Sequence, residues 1–153
     1  MGTNAAVTFP AAKARRLVLD YIRENGFASF PELQGLFEKH GIPYKGDKSI
    51  AYPTNPHIVY WAGWSREAAD FVCGMAAAGT VTAIRATLLH ILLSGGGLRL
   101  PQAVRKHYTY KTPHWLPIVF LSGTQSSRQS GRQTGRRQGR QGQAREGELQ
   151  CLV

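Results

Sequence analysis

The chain has 153 residues, of which 42% are hydrophobic, a balance typical of a globular domain that buries its own core. Its 19 Lys and Arg residues against 9 Asp and Glu give a formal net charge of +10, so polyanions are the expected partners. The sequence has no secretory signal pattern and no apolar run of about 18 residues. We therefore expect a soluble, cytoplasmic protein without a membrane partner.

Two helices are indicated in the first quarter of the chain. Residues 1–10 are expected to be flexible. After Pro10, apolar residues recur at helical spacing up to Asn25-Gly26, namely Ala14, Leu17, Val18, Tyr21 and Ile22. Residues 27–30 are long enough for a single β-bridge. Ser29 with Glu32 forms a capping-box pattern around Pro31, which predicts a second helix ending at Gly41.

A long connection follows the second helix. Residues 42–64 contain prolines 43, 53 and 56 and a charged turn at residues 45–48. Within this connection, residues 58–61 (Ile-Val-Tyr-Trp) predict a buried strand. The segment at about 43–62 is either a strand or hairpin inserted between the second and third helices of a compact domain, or the sign of a different α+β arrangement. We favour the insertion.

A third helix is predicted from the N-cap Ser65 to Gly79, because apolar residues again recur at helical spacing. Residues 80–93 are rich in β-branched and aliphatic residues, residues 94–97 predict a turn, and residues 98–100 alternate before Pro101. This pattern predicts a two-stranded ribbon. The apolar residues 116–121 predict an edge strand, because Pro117 removes one backbone donor.

The order of these elements resembles that of winged helix-turn-helix domains. The resemblance is carried first by residues 16–22, 27–30 and 31–41, a helix, a short strand and a helix started by Pro and Glu. A further helix followed by a ribbon completes it. It covers residues 11–121 and implies an α+β, winged-helix-like domain with an inserted strand or hairpin at about 43–62.

The composition changes abruptly after residue 121. Residues 122–153 repeat a Gly-Arg-Gln theme with few apolar residues, so this tail is expected to be disordered. Spaced arginines on a flexible chain suit contact with phosphates, and those assigned to nucleic acid are Arg128, Arg132, Arg136, Arg137 and Arg140. The alternative is a solubilising extension without a ligand.

A second basic segment lies between residues 105 and 115. Arg105, Lys106 and Lys111 are interleaved with Tyr108 and other aromatic residues, which combines cations for phosphates with flat surfaces for bases. Arg99, on the second strand of the predicted ribbon, would join them if the ribbon is a wing. Alternatively, the aromatic residues pack against the core and the cations face water.

The third helix does not have the composition of a helix that reads bases. It exposes acidic residues and a face of small residues, Ala69, Cys73, Gly74 and Ala77. That face suits a protein partner or a second copy of the chain, together with an exposed Trp61 or Trp64. A protein–protein interaction module on a winged-helix scaffold is therefore the alternative function.

Catalytic and metal-binding patterns are weak throughout. The five histidines are scattered, and Cys73 and Cys151 lie in no metal-ligand motif and predict no structural disulfide. No carboxylate pair is placed for acid–base chemistry. We therefore expect neither enzymatic activity nor a cofactor or metal. The leading interpretation is a small nucleic-acid-binding protein that contacts the phosphate backbone, with DNA favoured over RNA.

Overall fold

The computed structural model describes residues 8–94, 96–104 and 109–123, which form an α+β domain. Its described part contains four helices and two three-stranded sheets. In chain order the elements are α1 (Ala11–Asn25), β1 (Ala28–Ser29), α2 (Phe30–Lys39), β2 (Lys45–Tyr52), β3 (Asn55–Trp64), α3 (Arg66–Ala77), β4 (Val81–Arg85), α4 (Leu88–Leu93), β5 (His114–Trp115) and β6 (Ile118–Ser122).

The first two helices confirm the sequence predictions, including their ends. α1 stops at Gly26, which has a positive φ of 87°, a conformation that glycine adopts without strain. The capping box of α2 is complete. Ser29 Oγ accepts from the Glu32 backbone N–H at 3.4 Å, while Glu32 Oε2 accepts from the Ser29 N–H at 2.7 Å.

The connection between α2 and α3 is a hairpin, as expected. β2 and β3 pair antiparallel, and several register shifts interrupt the ladder between Lys45 and Tyr52. The buried strand predicted at residues 58–61 forms the middle of β3. On its other side β3 pairs in parallel with β5, Ile58 opposite His114. The inserted hairpin thereby becomes two strands of a sheet ordered β2-β3-β5.

The other sheet has the order β1-β6-β4 with antiparallel pairing throughout, and it corrects the predicted edge strand. β6 is the central strand, and Ile118, Val119 and Phe120 are all buried. Pro117 does not weaken this strand, because it precedes the ladder and its carbonyl oxygen accepts from Ala86 N–H at 2.9 Å.

The predicted ribbon of residues 80–100 does not form. β4 ends at Arg85 and pairs with β6, from Val81 opposite Ser122 to Arg85 opposite Ile118. Residues 88–93 form the short helix α4, which begins beside Thr87, whose hydroxyl accepts from His90 N–H at 3.4 Å. A short apolar run fits a strand or a helix equally well, so its spacing did not decide between them.

Aromatic packing joins the two sheets and the helices into one core. The rings of Phe30 and Trp61 stack with a centroid distance of 5.6 Å, and Trp64 and Phe120 meet Phe30 edge-on at 5.3 and 5.2 Å. Phe9 packs against Phe37 and Phe71, so it belongs to the packed part of the domain, although residues 1–10 were expected to be flexible. Residues 1–7 lie outside the described ranges.

α3 begins at the predicted N-cap, with Ser65 Oγ accepting from Ala68 N–H at 3.2 Å. Cys73 is buried on this helix and is disulfide-bonded, so the expectation of no disulfide was wrong. Separation in sequence does not determine separation in the fold. The chain's other cysteine, Cys151, lies outside the described residues. Among the helices described, none has the length and apolar character needed to cross a bilayer.

Candidate nucleic-acid interface

The predicted basic segment lies on residues 86–117, a connection from β4 to β6 that we call the excursion. Around Trp115, its described residues pack on the hairpin β2–β3. Trp115 N–H donates to Pro101 O and Ala103 N–H donates to Trp115 O, both at 2.8 Å, so the two limbs of the excursion run parallel at this point. Leu116 N–H donates to Val59 O at 2.9 Å, which fixes the returning limb to β3.

Two predicted site residues within the described ranges, Arg99 and Lys111, are exposed on the excursion. Leu98 and Leu100, on either side of Arg99, pack against the core, and the alternation turns Arg99 outward. Arg99 precedes the bridge residue Gln102 by three positions and Lys111 precedes its partner Trp115 by four. Because the limbs are parallel, both cations approach the bridge from the same end.

The remaining predicted site residues stay predictions. Arg105, Lys106 and Tyr108, and in the tail Arg128, Arg132, Arg136, Arg137 and Arg140, lie outside the described residues. The positions that flank residues 105–108 are close together, because Val104 N–H donates to Tyr110 Oη at 2.9 Å. The first two residues of the predicted tail, 122–153, belong to the domain: Ser122 pairs with Val81 in β6, and Gly123 N–H donates to Thr80 O at 3.0 Å.

Two aromatic residues in the described part of the excursion, Trp115 and Tyr110, are engaged in packing. Trp115 is buried and its indole N–H donates to Tyr60 O at 3.1 Å. The ring of Tyr110 stacks on His114 with a centroid distance of 4.0 Å. Base stacking on Trp115 is therefore not available at the surface.

The contacts of each cation show whether its charge is available to a polyanion. In the described ranges there are 11 Lys and Arg residues and 7 Asp and Glu. Four cations pair with carboxylates, namely Arg23, Lys45, Lys48 and Arg66. Lys13 and Arg85 donate to backbone carbonyls. The five cations of this part of the chain that make neither contact are Arg15, Arg16, Lys39, Arg99 and Lys111.

Arg85 has a structural role that sequence reasoning did not assign. Its guanidinium donates to Ala103 O at 3.2 Å and to Val104 O at 3.3 Å, so it ties the end of β4 to the outgoing limb of the excursion. Leu89, Leu93 and Val104 on the same connection are exposed. Apolar groups gain nothing from phosphate, so they are not part of the candidate interface.

A hydrogen-bonded cluster at the end of α2 supports the hairpin. Tyr44 Oη donates to Glu38 Oε1 at 2.7 Å, and Lys45 Nζ lies 3.0 Å from the same oxygen. Burial, and then the bond and charge of Glu38, raise the pKa of Tyr44 to about 12. The bonds from Tyr44 and Lys45 hold the pKa of the Glu38 carboxyl below its usual range. The proton therefore stays on Tyr44.

The predicted surface for a protein partner is largely inside the domain. Ala69 and Cys73 are buried, and only Gly74 and Ala77 of the small-residue face are exposed. Trp61 and Trp64, expected at the surface, are buried as well. Gln34 explains how these indoles tolerate burial. With its amide oxygen facing them, that oxygen accepts from both Nε1 atoms at 3.0 Å.

A narrow crevice of about 240 Å³, open solvent at its mouth included, lies between α2, β3 and the excursion. Its walls are aromatic, formed by Phe30, Tyr60, Trp61 and Trp115. Its two serine hydroxyls are already bonded, Ser29 Oγ to Glu32 Oε2 at 2.8 Å and Ser94 Oγ to His90 O at 2.6 Å. The crevice thus offers no free nucleophile or general base among these groups.

Within residues 8–94, 96–104 and 109–123, no three His, Cys, Asp or Glu side chains come close enough together to hold a metal ion. No family model matches the sequence, and no curated protein or solved structure is significantly similar to it. The assignment of function therefore depends on the geometry and charge of the chain itself.

Proposed function

We propose that this chain is a small non-enzymatic protein that binds nucleic acid, DNA in preference to RNA, mainly through the phosphate backbone. The observation that carries the proposal is the placement of Arg99 and Lys111. Both are exposed, neither has an ion pair or hydrogen bond to the described part of the chain, and both lie a few residues before the isolated parallel bridge between Gln102 and Trp115. Such cations are free to bind phosphates and release counterions.

The order of the elements supports a winged-helix-like assignment. Without the hairpin β2–β3, and without α4 and β5 of the excursion, the chain runs helix, strand, helix, helix, strand, strand, and the last strand, β6, lies between the other two. The excursion connects the last two strands of this arrangement, the position that a wing occupies. Arg99 and Lys111 are then wing residues in the proposed interface.

The charge of α3 favours backbone contact over reading of bases. Its one basic residue, Arg66, pairs with Asp70 at 3.8 Å, and Glu67 is also exposed. A helix that reads the major groove presents Arg, Lys, Asn or Gln to base edges. The proposed binding is therefore insensitive to sequence and strongly dependent on salt.

The proposal is tested by titrating a short labelled DNA duplex with the full chain at salt concentrations between about 50 and 200 mM. The test variant is R99Q/K111Q, and the matched control is R23Q/R66Q, which removes the same formal charge from cations already paired with carboxylates. We expect the logarithm of the binding constant to fall steeply with salt for the wild type. The slope for R99Q/K111Q is expected to be smaller by about 1.8, or about 0.9 for each lost phosphate contact.

Two results contradict the proposal. One is the absence of wild-type binding at the lowest salt concentration. The other is binding whose affinity does not change with salt. A parallel titration with an RNA duplex of the same sequence tests the preference for DNA, which predicts weaker binding to RNA.

A further inference from the structure

We infer that the chain has a second surface for phosphate, separate from the excursion, where α1 meets the C-terminal end of α2. We call it the α1–α2 corner and define it by Lys13, Arg16 and Lys39. The inference rests on the proposed function, because it assigns further contacts to the same polyanionic ligand. It starts from the distribution of cations without partners, which are found on the excursion and on these two helices.

A hydrogen bond brings the two helices together at the corner. Lys13 Nζ in the first turn of α1 donates to the carbonyl oxygen of His40, which follows the last residue of α2, at 3.0 Å. Lys39 is the neighbour of His40 in sequence and is exposed. Residues three apart on a helix share a face, so Arg16 lies beside Lys13 on α1. The three cations thus belong to one part of the surface.

The nearest carboxylates do not neutralise this corner. Asp20, one turn after Arg16, pairs with Arg23 at 3.1 Å. Glu38, next to Lys39, binds Lys45 and Tyr44 at 3.0 and 2.7 Å. Each acid is therefore already occupied by another group. Neither acid pairs with Arg16 or Lys39, and Lys13 uses one of its three N–H donors to bond a neutral carbonyl.

The charge order of α1 is the reverse of what isolated helix stability favours. Its first turn contains no acidic residue, whereas Lys13, Arg15 and Arg16 all lie in its first two turns. Cations there oppose the helix dipole. Positions where a sequence departs from local stability rules are expected to be functional. A polyanion placed against the corner gives these cations the countercharge that the described part of the chain lacks.

The experiment uses the full chain and the same labelled DNA duplex, with R16Q/K39Q as the test variant. The matched control is K48Q/R66Q, which removes the same formal charge from cations paired with Asp47 and Asp70 and leaves the ion pairs of Asp20 and Glu38 intact. We expect the slope of log binding constant against log salt to fall by about 1.8 for R16Q/K39Q. The control is expected to keep the wild-type slope. Thermal melting of each variant verifies that the domain is folded.

Equal slopes for R16Q/K39Q and K48Q/R66Q overturn the second surface, because net charge alone then accounts for the effect. A reduced slope for R99Q/K111Q combined with a wild-type slope for R16Q/K39Q rejects the corner and leaves the proposed function standing. If the wild type fails to bind the duplex at low salt, the proposed function and the corner are both rejected.

Discussion

The indole nitrogen of Trp115 donates a hydrogen bond of 3.1 Å to the backbone carbonyl of Tyr60, a residue 55 positions earlier. Both residues are buried. The bond joins the excursion to the inserted hairpin, two segments that only the tertiary fold brings together. The positions of Arg99 and Lys111 depend on it, because both limbs that carry these cations meet at Trp115.

Replacement of Trp115 by Phe is expected to destabilise the protein by about 2 to 4 kcal/mol. The smaller ring leaves a cavity, and the carbonyl of Tyr60 loses its buried donor. Urea unfolding followed by far-UV circular dichroism measures the change. A loss below about 0.5 kcal/mol, the range of ordinary surface substitutions, contradicts this role for Trp115.

The shared acceptor at Gln34 gives a second stability prediction. Gln34→Leu keeps the size of the side chain but leaves the indole N–H groups of Trp61 and Trp64 without their acceptor. We expect a loss of about 2 to 6 kcal/mol, since each of the two buried unsatisfied donors costs about 1 to 3 kcal/mol. Gln34→Glu retains an acceptor and is the control. If the Leu variant is as stable as the Glu variant, the double hydrogen bond does not contribute.

Two glycines are expected to respond to alanine in opposite directions. A Cβ on Gly97 would overlap the Trp115 ring, so Gly97→Ala must displace the excursion or the indole. A cost of about 1 to 3 kcal/mol is typical of such overpacking. Gly74, on the exposed side of α3, has no atom within 4 Å of the same position. Gly74→Ala should therefore stabilise by about 0.5 to 1 kcal/mol, and calorimetry of both variants decides.

Alkaline pH should weaken the fold through Tyr44. Its pKa is about 12 in the folded chain against 10.0 for an unperturbed tyrosine. The folded state therefore holds a proton that the unfolded state releases first, so the free energy of unfolding falls between about pH 10 and pH 12. Below pH 10 this contribution is fully present. Tyr44→Phe should make the decline shallower when urea unfolding is measured across this range, and an unchanged decline would exclude Tyr44 as its source.

Local signals in the sequence predicted the elements whose ends are set by neighbouring residues. Helix-end signals act within one helical turn, so they can be recognised in the sequence alone. They are the capping box of Ser29 and Glu32, Gly26 after α1 and Ser65 before α3. These residues account for the correct placement of α1, α2 and α3.

What the sequence did not predict depends on pairing between distant segments. β4 finds its partner β6 more than 30 residues later, and only that pairing makes Pro117 the entrance to a central strand. The burial of Trp61 and Trp64 depends on Gln34 in another element. The order of polar and aromatic residues in the sequence does not reveal such a partner, because hydrogen-bond partners depend on which residues are neighbours in the folded chain.

The burial of Trp61, Trp64 and Trp115, all the tryptophans of the chain, has a spectroscopic consequence. Intrinsic fluorescence excited in the indole band reports the integrity of the interior, and emission shifts to the red as the rings reach water. A ligand that contacts only the exposed cations leaves the tryptophan emission spectrum unchanged. A spectral change on adding DNA would instead signal that the excursion has moved off the hairpin.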